Sequence, residues 1–541
     1  VEKTYFLEAI ADTSPGWSFA GAMKTAMEIA QFKYEPNAYW HGDYRGVEQP
    51  GLKKLQTLLN YAFDQWTGYG FGWIHGDEVK LGWASQSEIP PYATLGLFDY
   101  QPVDWNSIIP TFLVSNSSDS KKKIAFDLAI SQVNMVANTT HFYAANGADI
   151  GTIEDVGNSS AGIYDFDVAF VRDAESGVLK SFNGDGFLNK SQGVDNMART
   201  IETFVAQNRK GALSDAQESG LSNVQLERWQ KWLSAATNAL TNGVKRNITS
   251  DDASIKPFWL DTEGWKGFSY GVSPLLRAYR LLPRDSNREE WKKIALQLAE
   301  AYKDRYGDMR RVYWGGTSDC GCEDKEGSWG AAQAFLAVRD FYQSQLDGAS
   351  LSEDDRRKIQ TARDAFQKAA LHALYVTHSY TYIWNVKMPP DRTLAKDFDT
   401  RGLTLVSVGH IHIDALGARY ADEFRMNASA LGNETLWTAV SKSLLAGALE
   451  LQDPRFVSEG TPNERYSMYG GIAEQFFPSN WCYYCNTNTQ PDFPYSWRGE
   501  MTKAYGPLWS VAHVLGTFTQ MRIGGADPVR FLDSASDPWS N

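Results

Sequence analysis

Two short runs in this 541-residue chain set carboxylates directly before Gly and Trp: Asp261-Thr262-Glu263-Gly264-Trp265, and Glu323-Asp324-Lys325-Glu326-Gly327-Ser328-Trp329. Bond cleavage by a pair of carboxyl groups needs one held protonated and the other ionised. An apolar indole beside a carboxyl raises its pKa, which suits the acid member of such a pair. Glu263 and Glu326 are therefore candidate acids, with Trp265 and Trp329 as flat faces nearby. The competing reading is that acids collect in the first turns of helices because the helix dipole favours them.

A third run, Gly409-His410-Ile411-His412-Ile413-Asp414, stands out in a chain with only 8 His. On a strand, His410, His412 and Asp414 would share a side; at a helix start, His410 and Asp414 would pair across one turn. Asp414 is a candidate base for an attacking water, and His410 and His412 are candidate acid–base or orienting groups. A metal site needs further ligands, and the nearest other His, His372 and His378, stand apart in sequence, so no metal or other cofactor is expected. The repeated His-Gly-Asp tripeptides at 41–43 and 75–77 read as tight turns.

The four cysteines form two close pairs, Cys320/Cys322 and Cys482/Cys485. In an oxidising compartment they would form two disulfides clipping these loops together. A four-thiolate zinc site has compatible local spacing, but that context disfavours it. Either arrangement would bring Tyr466, Tyr469, Glu474, Trp497 and Glu500 beside Glu326. Asn-X-Ser/Thr sequons occur at Asn116, Asn138, Asn158, Asn189, Asn247, Asn427 and Asn433. They mark potential surface glycans on a secreted protein. The first residues lack a signal-peptide pattern, so a secreted chain would already have lost its signal.

Net charge is −13, and the longest basic run, Lys121-Lys122-Lys123, reads as a solvated turn, which leaves nucleic acid without a basic patch to bind. No apolar stretch is long enough for a membrane span. Phosphate-binding Gly loops, dinucleotide fingerprints and nucleophile elbows are absent. Aromatic residues make up 13% of the chain and include 19 Trp, enough to fill a large core and also to line a groove where rings stack on sugars.

The elements that must position these residues divide the chain at about 190. Residues 1–190 read as a mixed region. Helices are expected at 20–31 and 52–66, and the Gly/Trp-rich stretch 66–73 cannot be regular helix. From about 108 to 187 the apolar period changes to two: Ile124, Phe126, Leu128 and Ile130 share one side, as do Tyr164, Phe166, Val168 and Phe170, giving a small antiparallel sheet. Residues 191–541 read as helical. Ser222 to Gln225 forms a capping box with Gly243 as a stop. Ser273-Pro274 starts a helix that Pro283 ends, and Ser286 to Glu289 caps another. Further helices are expected at 326–346, 351–374, 403–421, 433–451 and 501–521.

Some of these helices have a charged outer side; others, such as 327–338 and 508–519, are apolar nearly all round. That alternation, with Gly/Trp-rich loops before the buried helices and the segment Glu326-Gly-Ser-Trp-Gly-Ala-Ala-Gln-Ala-Phe-Leu336, resembles the six-hairpin (α/α) toroid glycosidases and polysaccharide lyases over roughly 200–525. The resemblance implies a mostly α fold whose substrate groove is built by loops at one end of the inner helices, here 261–270, 320–330, 407–414 and 466–500. It further implies a carbohydrate partner and hydrolysis of glycosidic bonds, with Trp265, Trp329 and Trp497 as stacking surfaces. On the same fold a lyase would use His410, His412 or Tyr469 as base and Arg401 to neutralise a uronate. The His-X-His-X-Asp-Ala-Leu run is also similar to one in heparinase II/III-like lyases, although there it lies in a C-terminal β-domain and here helical segments follow. A terpenoid or polyketide cyclase in a helical barrel, and a binding protein without catalysis, are the readings from other classes.

Overall fold

A computed structural model describes residues 49–66, 68, 70–75, 78–81, 89–114, 119–156, 163–167, 169–173, 176, 178–182, 186–213, 222–248, 264–307, 325–348, 351–382, 402–407, 410–452, 471–472 and 507–534. The expected helix at 20–31 lies outside them.

The protein is mostly helical, with small antiparallel sheets. The principal helices are α1 (Pro50–Asp64), α2 (Ile89–Leu97), α3 (Lys121–Thr139), α4 (Gly186–Arg209), α5 (Ser222–Lys245), α6 (Gly264–Leu281), α7 (Arg288–Tyr306), α8 (Lys325–Gly348), α9 (Glu353–His378), α10 (Ala421–Asn427), α11 (Glu434–Glu450), α12 (Pro507–Ile523) and α13 (Pro528–Asp533). A 3₁₀ segment, Leu416–Tyr420, leads into α10. The strands are β1 (Gly72–His75), β2 (Glu78–Leu81), β3 (Phe142–Ala144), β4 (Asp149–Gly151), β5 (Ile163–Phe166), β6 (Ala169–Asp173), β7 (Leu179–Phe182), β8 (Thr404–Ser407) and β9 (His410–Asp414). They form three sheets, ordered β1-β2-β6-β7, β4-β3-β5 and β8-β9, every pairing antiparallel.

Several sequence expectations need correction. Residues 124–130 are not a strand but part of α3, whose N-cap Ser120 accepts a hydrogen bond from the Lys123 N–H. The alternating residues belong to a broader helical stripe that also buries Ala125, Ala129, Val133, Val136 and Ala137, so a period of two was only a subset of the pattern. The Lys121–Lys123 run is correspondingly the first turn of this helix. Lys121 donates to the carbonyls of Asn106 and Ile109 at 2.8 Å, and Lys122 lies 4.4 Å over the Phe98 ring.

Pro274 lies inside α6 rather than at its start, and Gly243 lies inside α5 rather than beyond it. Asn287, not Ser286, occupies the N-cap of α7 and makes no side-chain cap bond. Residues 403–421 form the β8-β9 hairpin and a 3₁₀ turn instead of a helix. Gly402 forces this entry: its φ is +76°, and a Cβ there would come within 1.8 Å of the Ser443 carbonyl oxygen. The expected break between 190 and 191 falls inside α4, and apolar side chains from both sides of it share one buried cluster running from Leu55 to Leu532.

Helices whose described side chains are mostly buried neighbour one another in succession. α2 packs on α4, α4 on α6, α6 on α8, and α12 on α2 and on the 3₁₀ segment. Between α8 and α10, Gln333 donates to Glu423 at 2.9 Å and Arg339 to Asn427 at 3.0 Å. A second set of helices backs these: α3 on α2, α5 and α7 on α6, α9 on α8, α11 on α10, and α1 on α12. Trp229, Trp232, Trp291 and Trp437 are fully buried between these elements, so they belong to the core rather than to a groove. Two of the four indoles find acceptors, Trp229 donating to Asn134 at 2.8 Å and Trp291 to Asn238 at 2.7 Å, while those of Trp232 and Trp437 have none among the described residues.

Candidate active site

The start of α8 carries the densest chemistry. Lys325, its first residue, is only 1% exposed and forms an ion pair with Asp414, also 1% exposed, at the end of β9. The Thr404 hydroxyl donates to the other Asp414 oxygen, which also accepts the Leu416 N–H at 3.1 Å. Both carboxyl oxygens are therefore engaged. Burial pushes the Asp414 pKa up from the usual carboxylate range, Lys325 and Thr404 oppose that shift, and the Glu326 charge adds to it. Two charges taken out of water are tolerable only with such complete hydrogen bonding.

Glu326 sits in the first turn of α8, half-buried, near enough for its charge to act on both Asp414 and Tyr420. Ser328 and Thr377 bind each other at 3.0 Å, fixing this turn to α9. The Tyr420 phenol is held well above its ordinary pKa by burial and by Asp414. The Glu326 charge acts on Asp414 across 88 residues of sequence, but the structure gives Asp414 a different place from the one expected of a base. A general base must reach water, and this carboxylate is closed off and saturated. Trp329 is likewise no open stacking surface: it is 3% exposed, with the Arg419 guanidinium 4.1 Å over its ring and Tyr420 against it.

The backbone of Trp265 lies at the start of α6, and those of His410 and His412 lie on β9, with His410 opposite Ser407. The strand alternative for the His run is therefore the one adopted. Glu263, Arg401, Tyr469, Trp497 and the cysteines Cys320, Cys322, Cys482 and Cys485 lie outside the described residues. Among the described residues, no group of three or more His, Cys, Asp or Glu could hold a metal ion, and no helix is long and apolar enough to cross a membrane.

Among the sequons, Asn116 and Asn158 also lie outside the described residues, and Asn189 is placed only by its backbone in α4. Asn138 is exposed near the end of α3. The Asn247 amide donates to the Gly243 carbonyl at 3.1 Å, and Asn433 caps α11 through the Leu436 N–H. Asn427 needs correction. It is 3% exposed, accepts from Arg339 and donates to the Glu423 carbonyl, which leaves no room for a glycan.

Behind the start of α8 lies a network the motifs did not reveal. Asp195 accepts from Arg199 at 2.6 Å and from Arg277 at 3.0 Å, and Arg277 reaches Glu202 at 2.7 Å. Burial would raise Asp195, but the two guanidinium groups outweigh it and bring its pKa down to about 2. A cavity of about 60 Å³ separates this network from Trp329 and Arg419, with His513 on its wall. Burial and Arg419 hold the His513 imidazole neutral, well below its ordinary pKa. The only sequence signal for this network is the i,i+4 Asp195/Arg199 pair. The sequence matches no family model and no curated protein.

Proposed function

We propose that the chain is a secreted, disulfide-bearing glycoprotein enzyme that hydrolyses glycosidic bonds of a poly- or oligosaccharide, on an (α/α) toroid. The succession of helix contacts supports the architecture: mostly buried helices follow one another as neighbours with a second set of helices packed against them, as concentric rings of helices require. In this reading substrate lies across the end where α6 and α8 begin.

The observation that carries the chemical reading is Glu326. It is a half-buried carboxyl in the first turn of α8, next in sequence to the closed Lys325–Asp414 pair. Glu326 is the general acid. Glu263, one residue before α6, is the second carboxyl. Asp414 and Lys325 lock the start of α8 to the β8-β9 hairpin, so that Glu326 keeps a fixed bearing. Reducing-end release from a panel of neutral and acidic polysaccharides tests this, with Glu326→Gln as the control. Hydrolysis that persists in the variant would sink the assignment, and an unsaturated product absorbing in the ultraviolet would identify a lyase instead.

A further inference from the structure

A second cavity, of about 500 Å³, opens among the C-terminal halves of α2, α4, α6 and α12, with α8 and α10 completing its wall. Its α8 residues centre on Leu336, ten positions past Glu326, or about 15 Å along the helix. It is therefore distinct from the site at the start of α8.

The wall is unevenly charged. Each of its carboxylates is already held: Glu202 by Arg277 at 2.7 Å, Asp340 by Arg339 at 2.6 Å, Asp99 by Gln207 at 3.0 Å, Asp422 by Arg425 at 2.7 Å, and Glu423 by Gln333 at 2.9 Å. Burial also raises the pKa of Glu423, which weakens its negative charge. Two cations on the same wall, Lys210 and Arg280, have no carboxylate partner among the described residues. Arg280 is exposed to solvent, yet burial and the neighbouring Arg277 lower its pKa, with Glu202, Asp340 and Asp195 opposing. Cations do favour helix C-termini, and both residues occupy such positions. That preference accounts for a charge at each helix end. It does not account for two cations without an ion-pair partner meeting Arg277 around one cavity in a chain of net charge −13.

We propose that this cavity binds a small ligand carrying a carboxylate or phosphate group on a compact, sugar-sized body. Lys210 and Arg280 take the anionic group, since guanidinium and ammonium groups form the strongest hydrogen bonds to such oxygens. Leu276, Leu336, Met426 and Ile523 supply apolar wall for the body. The volume lies within the range of small-ligand sites. The assignment stands independently of hydrolysis at the start of α8.

Isothermal titration of the full glycosylated chain at low ionic strength tests it, using glucuronate, glucose 1-phosphate and glucose as probes. Binding of glucuronate alone identifies a carboxylate site, binding of glucose 1-phosphate alone a phosphate site, and binding of both a general anion site. In each case glucose binds at least about tenfold more weakly, and the Lys210→Gln/Arg280→Gln double variant loses about tenfold or more in affinity. Met426→Trp blocks the cavity from its rim, where Met426 is 60% exposed, and abolishes binding with an unchanged melting temperature. No binding of either anion, equal binding of glucose, or unmodified affinity in the double variant overturns the proposal.

Discussion

The ammonium of Lys325 and the carboxylate of Asp414 meet where neither touches solvent, and they join the first residue of α8 to the last residue of β9. Removing one partner leaves the other charge buried and unmatched. Lys325→Met or Asp414→Asn should therefore each cost about 3–5 kcal/mol. The double variant Lys325→Met/Asp414→Asn should cost less than the two single changes together. Urea titrations read by circular dichroism check this, and strictly additive losses would show that the pair does not act as a unit.

Glu326→Gln should abolish turnover while changing stability by less than about 1 kcal/mol, because a half-buried side chain in a first helical turn carries little of the fold. A loss of several kcal/mol would mark Glu326 as a structural cap, and a retained rate would remove it from the chemistry.

His378 gives the clearest dependence on pH. Its ring is 2% exposed, packs against Phe424 and Trp437, and has no hydrogen-bond partner at either nitrogen among the described residues. Burial pushes its pKa down to about 3, whereas the unfolded chain titrates near 6.5. The unfolded state thus binds the extra proton first. The stability that His378 contributes is complete above about pH 6.5 and is lost as pH falls toward 3. His378→Phe should flatten that slope by several kcal/mol across the interval. Identical pH–stability curves for both proteins would refute the assignment.

Asp195 acts at lower pH. With a folded pKa of about 2 against 3.8 for the free group, its contribution is present above about pH 4 and lost as pH falls toward 2. Asp195→Asn should therefore remove the last acid-dependent step, measured as the change in urea midpoint between pH 4 and 2. An unaltered step would mean that Arg199 and Arg277 do not hold it ionised.

Glycopeptide mass spectrometry should find glycans at Asn138 and Asn433 and none at Asn427, whose amide is committed inside the protein. Intact mass before and after reduction should add four hydrogens for the two expected disulfides. Occupancy at Asn427 would require a different packing of α8 on α10.

The long helices were readable from sequence because their apolar stripes run for many turns. The α9 boundary was also signalled by Ser352, which caps it through the Asp355 N–H. The hairpin at β8-β9 does not read as one in sequence because its departure rests on Gly402, whose left-handed conformation and close approach to the distant Ser443 carbonyl leave no room for a Cβ. Glu326 and Asp414 were recognisable singly. Their separation by Lys325 was not, since an ordinary lysine in a charged run gives no sign that it will be sealed from water. The Asp195 network was hidden for a related reason: Arg277 joins it from the second half of α6, away from the Gly264-Trp265 run at that helix's start.

The placement of α2 has a consequence for synthesis. All nine of its residues are buried, and the segment just after it is fastened to the far end of the chain, where Tyr100 bonds to Asp527 at 2.5 Å across 427 residues. At a translation rate of about 5–20 residues per second, α2 waits roughly 20–85 s for α12 to emerge. During that interval its Pro-Tyr-Ala-Thr-Leu-Gly-Leu surface has no permanent neighbour on that side. A chain built this way keeps an apolar helix face uncovered while it is being made, the condition under which aggregation competes with folding.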